Sequence, residues 1–294
     1  MNTKSILLLG SVALDSIETK YGSEKDILGG SASYAAFSSS PFLKTNIVGI
    51  IGDDFPEKEA QELRAACNSS SNLIVEKGKT FRWGGKYHDN GDDRDTLFTE
   101  LGVFENFSPI LFNKNMFPDY LFLANIHPDL QLSVLNQCLS KPVVITDTMN
   151  LWIDIAKESL LKVLKKTDIL LINESEVYDL TGIKDISEST TKLHGLGPKK
   201  IIVKYGSKGS TMYITDGDSL SVNVIPVKDV IDPTGAGDSY GGGLVSALAQ
   251  GLSIKDAMIR GTVMASLCIE SFGVKSILNS SLEKINSRIK TLSN

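Results

Sequence analysis

Apolar runs of strand length alternate along this chain with segments of helical period. Ile6–Leu9, Ile47–Ile51, Tyr120–Leu123, Val143–Thr146, Ile169–Ile172 and Ile201–Lys204 are short and nearly continuous in hydrophobic residues, the pattern of strands buried on both faces. Between them, Glu57–Ala66, Leu130–Leu139 and Leu151–Leu164 repeat apolar residues at helical spacing, which predicts helices with one apolar stripe. A further helix is predicted over Ser253–Phe272, opened by Ser253 and Asp256 and followed by Gly273. Alternation of strand and helix argues for a mostly parallel sheet covered by helices. No Gly/Ser linker, Pro-rich stretch or internal repeat divides the chain, so one α/β domain is expected over residues 1–294.

One region departs from this pattern. Thr80–Thr99 alternates bulky and polar residues around the turn-rich stretch Asp89-Asn90-Gly91-Asp92-Asp93, a hairpin signal. Ser16–Ile27 is similarly short and interrupted by polar residues. Two excursions, approximately 14–28 and 78–103, are expected to pair into a small β lid with Phe81, Trp83, Tyr87 and Phe98 on its buried face. The plainer alternative is a surface hairpin without a catalytic role.

Composition narrows the function classes. The 294 residues are 41% apolar and 22% charged, with a net charge of −5, which is ordinary folded protein. Lys and Arg are scattered, so nucleic acid is not an expected partner. No apolar run approaches the ~20 residues that span a bilayer, and no membrane association is expected. The apolar start Ile6–Gly10 is followed by Asp15 and Glu18 without a cleavage site, which suits a first buried strand better than a signal peptide. Cys67, Cys138 and Cys268 form no C-x-x-C, and His88, His127 and His194 lack metal-ligand spacing. The cytoplasm is the expected compartment.

Candidate chemistry concentrates in Asp232-Pro233-Thr234-Gly235-Ala236-Gly237-Asp238. Small residues between two carboxylates allow a tight turn whose amides converge on one point, and the small apolar run that follows reads as a buried helix ending near Gly251. Bare amides at a helix start form an anion site. Asp238, in the first turn, is expected to be stabilised there as a carboxylate and to stay ionised. A base beside an anion hole suits removal of a hydroxyl proton during phosphoryl transfer. A simple turn and helix start would give part of the same string.

The whole run, with Gly242 and Gly243 after it, resembles the second signature of the ribokinase family, the phosphofructokinase-B type sugar and nucleoside kinases. Other matches follow in family order, and the resemblance covers the chain from Ile6 to about Gly273. Gly10-Ser11-Val12-Ala13-Leu14-Asp15 fits the family's first strand and turn, with Asp15 at the substrate aspartate. Leu28-Gly29-Gly30-Ser31-Ala32-Ser33 fits its first signature. Asn173-Glu174-Ser175-Glu176 matches N-x-x-E, although the same spacing also fits a capping box. Asp147-Thr148-Met149-Asn150 looks like the D-x-N segment near the phosphate site. Lys204-Tyr205-Gly206-Ser207-Lys208-Gly209 resembles the nucleotide loop, and Ser253–Phe272 the wall of the adenine pocket.

The resemblance implies a three-layer α/β/α sandwich with a mostly parallel sheet and a small β lid, and an ATP-dependent kinase acting on a hydroxyl of a small sugar or polyol. It implies Asp238 as base, with the amides of Gly235, Ala236 and Gly237 as anion hole. Asp15, Gly29, Gly30 and Ser33 would hold the acceptor, and Asn173, Lys204, Gly206, Gly209 and Thr234 the nucleotide. Glu176 would hold Mg²⁺ through water, and Asp232 occupies the position at which some relatives bind a monovalent cation such as K⁺. Some relatives dimerise through the lid, so a homodimer through it stays open. Two alternatives remain beside the sugar kinase: a nucleoside kinase of the adenosine type, and a non-catalytic regulator on the same fold. Loss of Asp238, the Gly235–Gly237 run or Glu176 would mark the regulator, and all are present.

Ribokinases carry an asparagine where this chain has Ala13 and a lysine where it has Ser31. These departures point away from plain ribose and leave nucleoside, inositol and phosphorylated-sugar acceptors open. Arg82, Lys86 and Arg94 in the lid would suit a phosphate or carboxylate on the acceptor. A P-loop is excluded because Leu73 stands where Gly78-Lys79-Thr80 would need its first glycine. A dinucleotide fingerprint is excluded because Gly10-Ser11-Val12-Ala13 does not supply G-x-G-x-x-G.

Overall fold

All six apolar runs become adjacent strands of one sheet. The computed structural model describes residues 4–68, 72–88, 94–215 and 217–293. In chain order these form β1 (Ile6–Leu9), β2 (Ala13–Thr19), β3 (Gly22–Gly29), α1 (Ser31–Ser39), β4 (Asn46–Gly52), α2 (Glu57–Ala66), β5 (Asn72–Glu76), β6 (Arg82–Tyr87) and β7 (Arg94–Glu100). Next come β8 (Tyr120–Leu123), α3 (Pro128–Gln137), β9 (Val143–Asp147), α4 (Asn150–Ile155), α5 (Lys157–Leu164), β10 (Ile169–Asn173), α6 (Glu174–Thr181) and α7 (Ile186–His194). The chain continues through β11 (Lys200–Lys204), β12 (Ser210–Ile214), β13 (Ser219–Val222), α8 (Ala236–Ala249), α9 (Ile254–Cys268), α10 (Lys275–Leu278) and α11 (Leu282–Ser293).

The main sheet has nine strands in the order β13-β12-β11-β10-β9-β8-β1-β4-β5. Every pair from β11 to β5 is parallel, while β12 and β13 add antiparallel strands at one edge. The continuous apolar runs are explained by burial on both sides. Ile6 and Leu8 of β1 join one core cluster with residues of α1, α8 and α9, and Leu7 and Leu9 join another with Val134 of α3 and Val163 of α5. A third cluster packs α6 and α7 against β10 and β11. Helices therefore cover both faces, giving three layers. Parallel pairing also gathers the carboxyl ends of β1, β8, β9, β10 and β11 along one edge, where ligands of open α/β sheets bind.

Several boundaries differ from the sequence expectation. Leu151–Leu164 is two helices, because the chain leaves helical geometry at Ala156 (φ −135°, ψ 29°). The indole of Trp152 on α4 donates to Asn125, whereas Leu160, Val163 and Leu164 of α5 are buried in the core, so two packing demands split one amphipathic stripe. Helix α3 starts at Pro128 rather than Leu130, with Pro at its first turn. Helix α9 stops at Cys268, before Phe272, because the following residues turn back to hold Asp232: Ile231 N donates to the Ile269 carbonyl and Gly273 N to the Asp232 carboxylate. Strands β5, β12 and β13 were not marked by apolar runs, since they lie toward the sheet edges with one side partly exposed.

The lid is a four-stranded sheet, β3-β2-β6-β7, with β2 and β6 parallel. The turn residues 89–93, expected at its centre, lie outside the described residues. Of the aromatics expected to be buried, Tyr87 is buried, Phe81 and Trp83 are half-buried, and Phe98 is exposed. Phe98 pairs with Gly84 across the strands, on the face opposite to Trp83 and Tyr87, because strand residues alternate.

Candidate active site

The anion turn is built by close packing. Gly235 caps α8 in the left-handed region (φ 74°), and a Cβ there would lie 2.3 Å from the Tyr34 ring. Glycine is therefore required by both backbone and space. Asp232 is buried, and its two oxygens accept from Thr234 N (2.9 Å) and Gly273 N (3.0 Å), so it pins the turn to the segment after α9. The Thr234 carbonyl accepts from the buried Cys268 thiol (3.2 Å). Ala236 N already makes a long bond to the Pro233 carbonyl (3.3 Å), whereas no hydrogen bond from Gly235 N or Gly237 N is found among the described residues.

Asp238 sits in the first turn of α8 with Oδ1 shielded from solvent and without a hydrogen-bond partner among the described residues. Burial, then the Asp147 carboxylate, pushes it up to about 7. This corrects the expectation of a firmly ionised carboxylate: removal of water outweighs the helix start. A base poised near neutral pH is well matched to proton abstraction.

Beneath the turn, Lys204 at the end of β11 pairs with Asp147 at the end of β9, Nζ to Oδ1 3.0 Å and to Oδ2 3.3 Å. The Asp147 side chain is almost fully buried. Burial works against the Lys204 charge, but the carboxylates of Asp147 and Glu176 hold its pKa above the usual lysine value. A Cβ on Gly237 would lie 3.1 Å from Nζ, so the ammonium lies directly against the turn. Asn173 and Glu176 form a complete capping box on α6: Asn173 Oδ1 accepts from Glu176 N and Glu176 Oε2 from Asn173 N, each at 2.9 Å. Glu176 is buried and is pushed up to about 7 by burial, against the pull of Lys204. The capping geometry uses Oε2 only; Oε1 carries no hydrogen bond among the described residues.

Beside the lid, Asp15 on β2 is buried and lifted to about 8 by burial and then by Asp232. A Cβ on Gly29 would come within 1.9 Å of Asp15 Oδ2, so Gly29 makes room for this carboxylate, and the Gly30 amide donates to it. Ser33 is buried, and its hydroxyl has no hydrogen-bond partner among the described residues. Ser31 instead ties the fold together, accepting from Ser11 N (3.0 Å) and donating to the Asn125 carbonyl (2.9 Å). Across from them, Trp83 pairs with Asp15 in the lid and its ring lies over Gly85. Arg82 is bound by Asp54 (2.8 Å) and Asp26 (3.1 Å), and Lys86 by Glu18 (2.5 Å). Arg94 has no carboxylate partner among the described residues and stands 5.7 Å over the Trp83 ring.

After β11, Gly206 (φ 56°) and Gly209 (φ 93°) bracket a short 3₁₀ turn, Gly206–Lys208, which is open to solvent. Lys204, which precedes this loop, has its Nζ against the Asp147 carboxylate and the Gly237 position of the anion turn. Tyr34 and Tyr87 carried no sequence signal as site residues, because one is a core residue of α1 and the other lies in the lid. Asp147 was legible only through its D-x-N segment.

Comparison with known proteins bears on the family and the fold. A model of the pfkB carbohydrate kinase family matches residues 131–280. A cytidine kinase of Thermococcus kodakarensis is 27% identical over 92% of this chain and 98% of its own. Arabidopsis thaliana ribokinase, solved with ribose and ATP, superposes with a TM-score of 0.77 at 21% identity, covering 98% of this chain and 99% of that one. An E. coli protein provisionally called ribokinase II, solved with ATP and Mg²⁺, gives a TM-score of 0.81 at 19% identity, covering 98% and 99%. At these identities the two solved structures speak for the fold.

Proposed function

We propose a mechanism for a chain that belongs to the pfkB family of carbohydrate kinases, and hence for ATP-dependent phosphorylation of an alcohol group. The observation that carries it is the shielded Oδ1 of Asp238 beside the amides of Gly235 and Gly237, none of which has a hydrogen-bond partner among the described residues. The acceptor hydroxyl gives its proton to Asp238 while its oxygen attacks the γ-phosphorus; the bond from that phosphorus to the bridging oxygen breaks and ADP leaves. The turn amides and the start of α8 meet the charge on the moving phosphoryl. No covalent enzyme intermediate forms. When bound, Mg²⁺ neutralises charge on the nucleotide phosphates. Glu176 would hold it through water with Oε1, and the Asn173 backbone N–H, which donates to Oε2, keeps that carboxylate in place. Gly206, Gly209 and Thr234 line the nucleotide side, and Ala236 N exchanges its long bond to Pro233 for the phosphoryl. A monovalent cation at Asp232 would share oxygens that already hold two amides; turnover in K⁺ against choline tests it.

The acceptor is a small sugar or polyol held by Asp15, Gly29, Gly30 and Ser33. A nucleoside is the second reading, favoured by the Trp83 indole beside Asp15, a surface on which a flat ring can stack. Arg82 is paired with Asp54 and Asp26, and Lys86 with Glu18, so of these three cations Arg94 is the one that would face an anionic group. The deciding experiment is ADP release with Mg-ATP against pentoses, hexoses, inositols, nucleosides and sugar phosphates, with Asp238→Asn in parallel. Silence for every acceptor overturns the kinase mechanism.

Among the described residues no helix is long and apolar enough to cross a membrane; the cytoplasm is proposed from the three scattered cysteines, which suit a reducing compartment. All seven residues of β7, an edge strand of the lid, are exposed, including Leu97 and Phe98. A second copy of the chain would cover this edge, completing its hydrogen bonding and burying both side chains.

A further inference from the structure

We propose that Lys204 is a catalytic cation of phosphoryl transfer, positioned by Asp147 and admitted to the transferring group by the missing side chain of Gly237. This rests on the kinase mechanism above and adds a charged group to it. Three observations carry it. Lys204 Nζ has three donors and contacts only the two Asp147 oxygens, at 3.0 and 3.3 Å, among the described residues; at least one N–H is left over. The residue lies under the anion turn, where a Cβ on Gly237 would stand 3.1 Å from Nζ. Its ammonium stays charged despite burial, because Asp147 and Glu176 face it.

A buried, charged donor with a spare N–H against an anion turn is a preorganised site for negative charge. The buried carboxylate of Asp147 fixes the ammonium in advance, so no reorganisation is needed when the phosphoryl arrives. Lys204 donates a hydrogen bond to a γ-phosphoryl oxygen and keeps its proton; the acceptor proton still goes to Asp238. Lys204 also governs the base. The charged or titratable groups that act on Asp238 are Asp147 from β9, Lys204 from β11 and Arg94 from β7, and Asp238 in turn acts on Asp15 of β2 and Cys268 of α9. Lys204 favours the ionised form of Asp238 and Asp147 opposes it.

The test uses the best acceptor from the panel and measures kcat, acceptor KM and the pH dependence of kcat/KM for wild type, Lys204→Met, Lys204→Arg and Asp147→Asn. Lys204→Met is expected to lower kcat by about 10²–10³, the usual weight of one preorganised donor, with acceptor KM changed less than about threefold and the acid limb moved to higher pH. Lys204→Arg should retain more activity than Met. Asp147→Asn keeps the ammonium but loosens it, so kcat falls while the acid limb moves the other way, to lower pH. These opposite displacements would not arise from a merely structural role. Wild-type kcat in Lys204→Met, or a limb unmoved in both variants, overturns the inference and leaves the kinase reading standing. If Lys204→Met does not fold, the limb of Asp147→Asn decides. A wild type inactive on every acceptor removes the kinase reading and this inference with it.

Discussion

The Thr234 hydroxyl in the anion turn donates to the Tyr87 phenol of the lid across 3.1 Å, joining residues 147 positions apart in the chain. A second tie, from the Tyr21 hydroxyl to Asp229 (3.1 Å), links the far end of the lid to the same connection. The lid is thus fastened to the turn proposed to receive the phosphoryl group. Tyr87→Phe keeps the ring and removes the bond. We expect kcat to fall a few-fold and the ratio of ADP to phosphorylated acceptor to rise above one, as water gains access. A ratio that stays at one in the variant would show that this bond does not govern sealing.

Asp238→Asn should leave Mg-ATP affinity near normal and lower turnover by about 10²–10⁴, the weight of a positioned base. It should also stabilise the empty protein. The folded-state pKa of Asp238 lies near 7, above the ordinary 3.8, so ionising it costs folding free energy as pH rises from about 4 through about 7, and that cost persists above. Calorimetry at pH 8 should find a higher Tm for the variant than for wild type. Equal Tm values would place Asp238 in a wetter environment than the fold provides.

The same shift sets the pH dependence of catalysis. Because the base must be unprotonated, kcat/KM should fall below about pH 7, with an acid limb displaced by some units from an ordinary aspartate. Asp15, lifted to about 8, interacts with Asp238, so the limb belongs to the site as a whole. Full activity at pH 5 would refute the assignment of Asp238 as base.

Gly29→Ala places a methyl 1.9 Å from Asp15 Oδ2, which forces the carboxylate or the strand to move. Acceptor KM should rise by roughly two- to tenfold, since a hydrogen bond to an uncharged carboxyl contributes about 0.5–1.5 kcal/mol. ATP affinity should not change. Unchanged acceptor KM would remove Asp15 from the acceptor site.

Leu97→Lys on β7 adds a charge to an exposed lid edge. If the edge joins two copies, sedimentation should show a dimer in wild type and a monomer in the variant. A wild-type monomer at high concentration ends that proposal.

Much of this protein could be read along the chain, for a common reason. The six parallel strands, the glycine at the head of α8, the Asn173–Glu176 cap and the Ser253 start of α9 each depend on neighbours within a few residues, and such local demands leave a mark in composition and spacing. The site is different. Lys204 meets Asp147 across 57 positions only because β10 separates β9 from β11 in the sheet. Tyr34 lies under Gly235 because α1 packs against α8, and the raised pKa of Asp238 follows from the water its neighbours exclude. Strand order, helix packing and burial join residues with no periodic relation, so these contacts, and the chemistry that depends on them, existed only once the chain was folded.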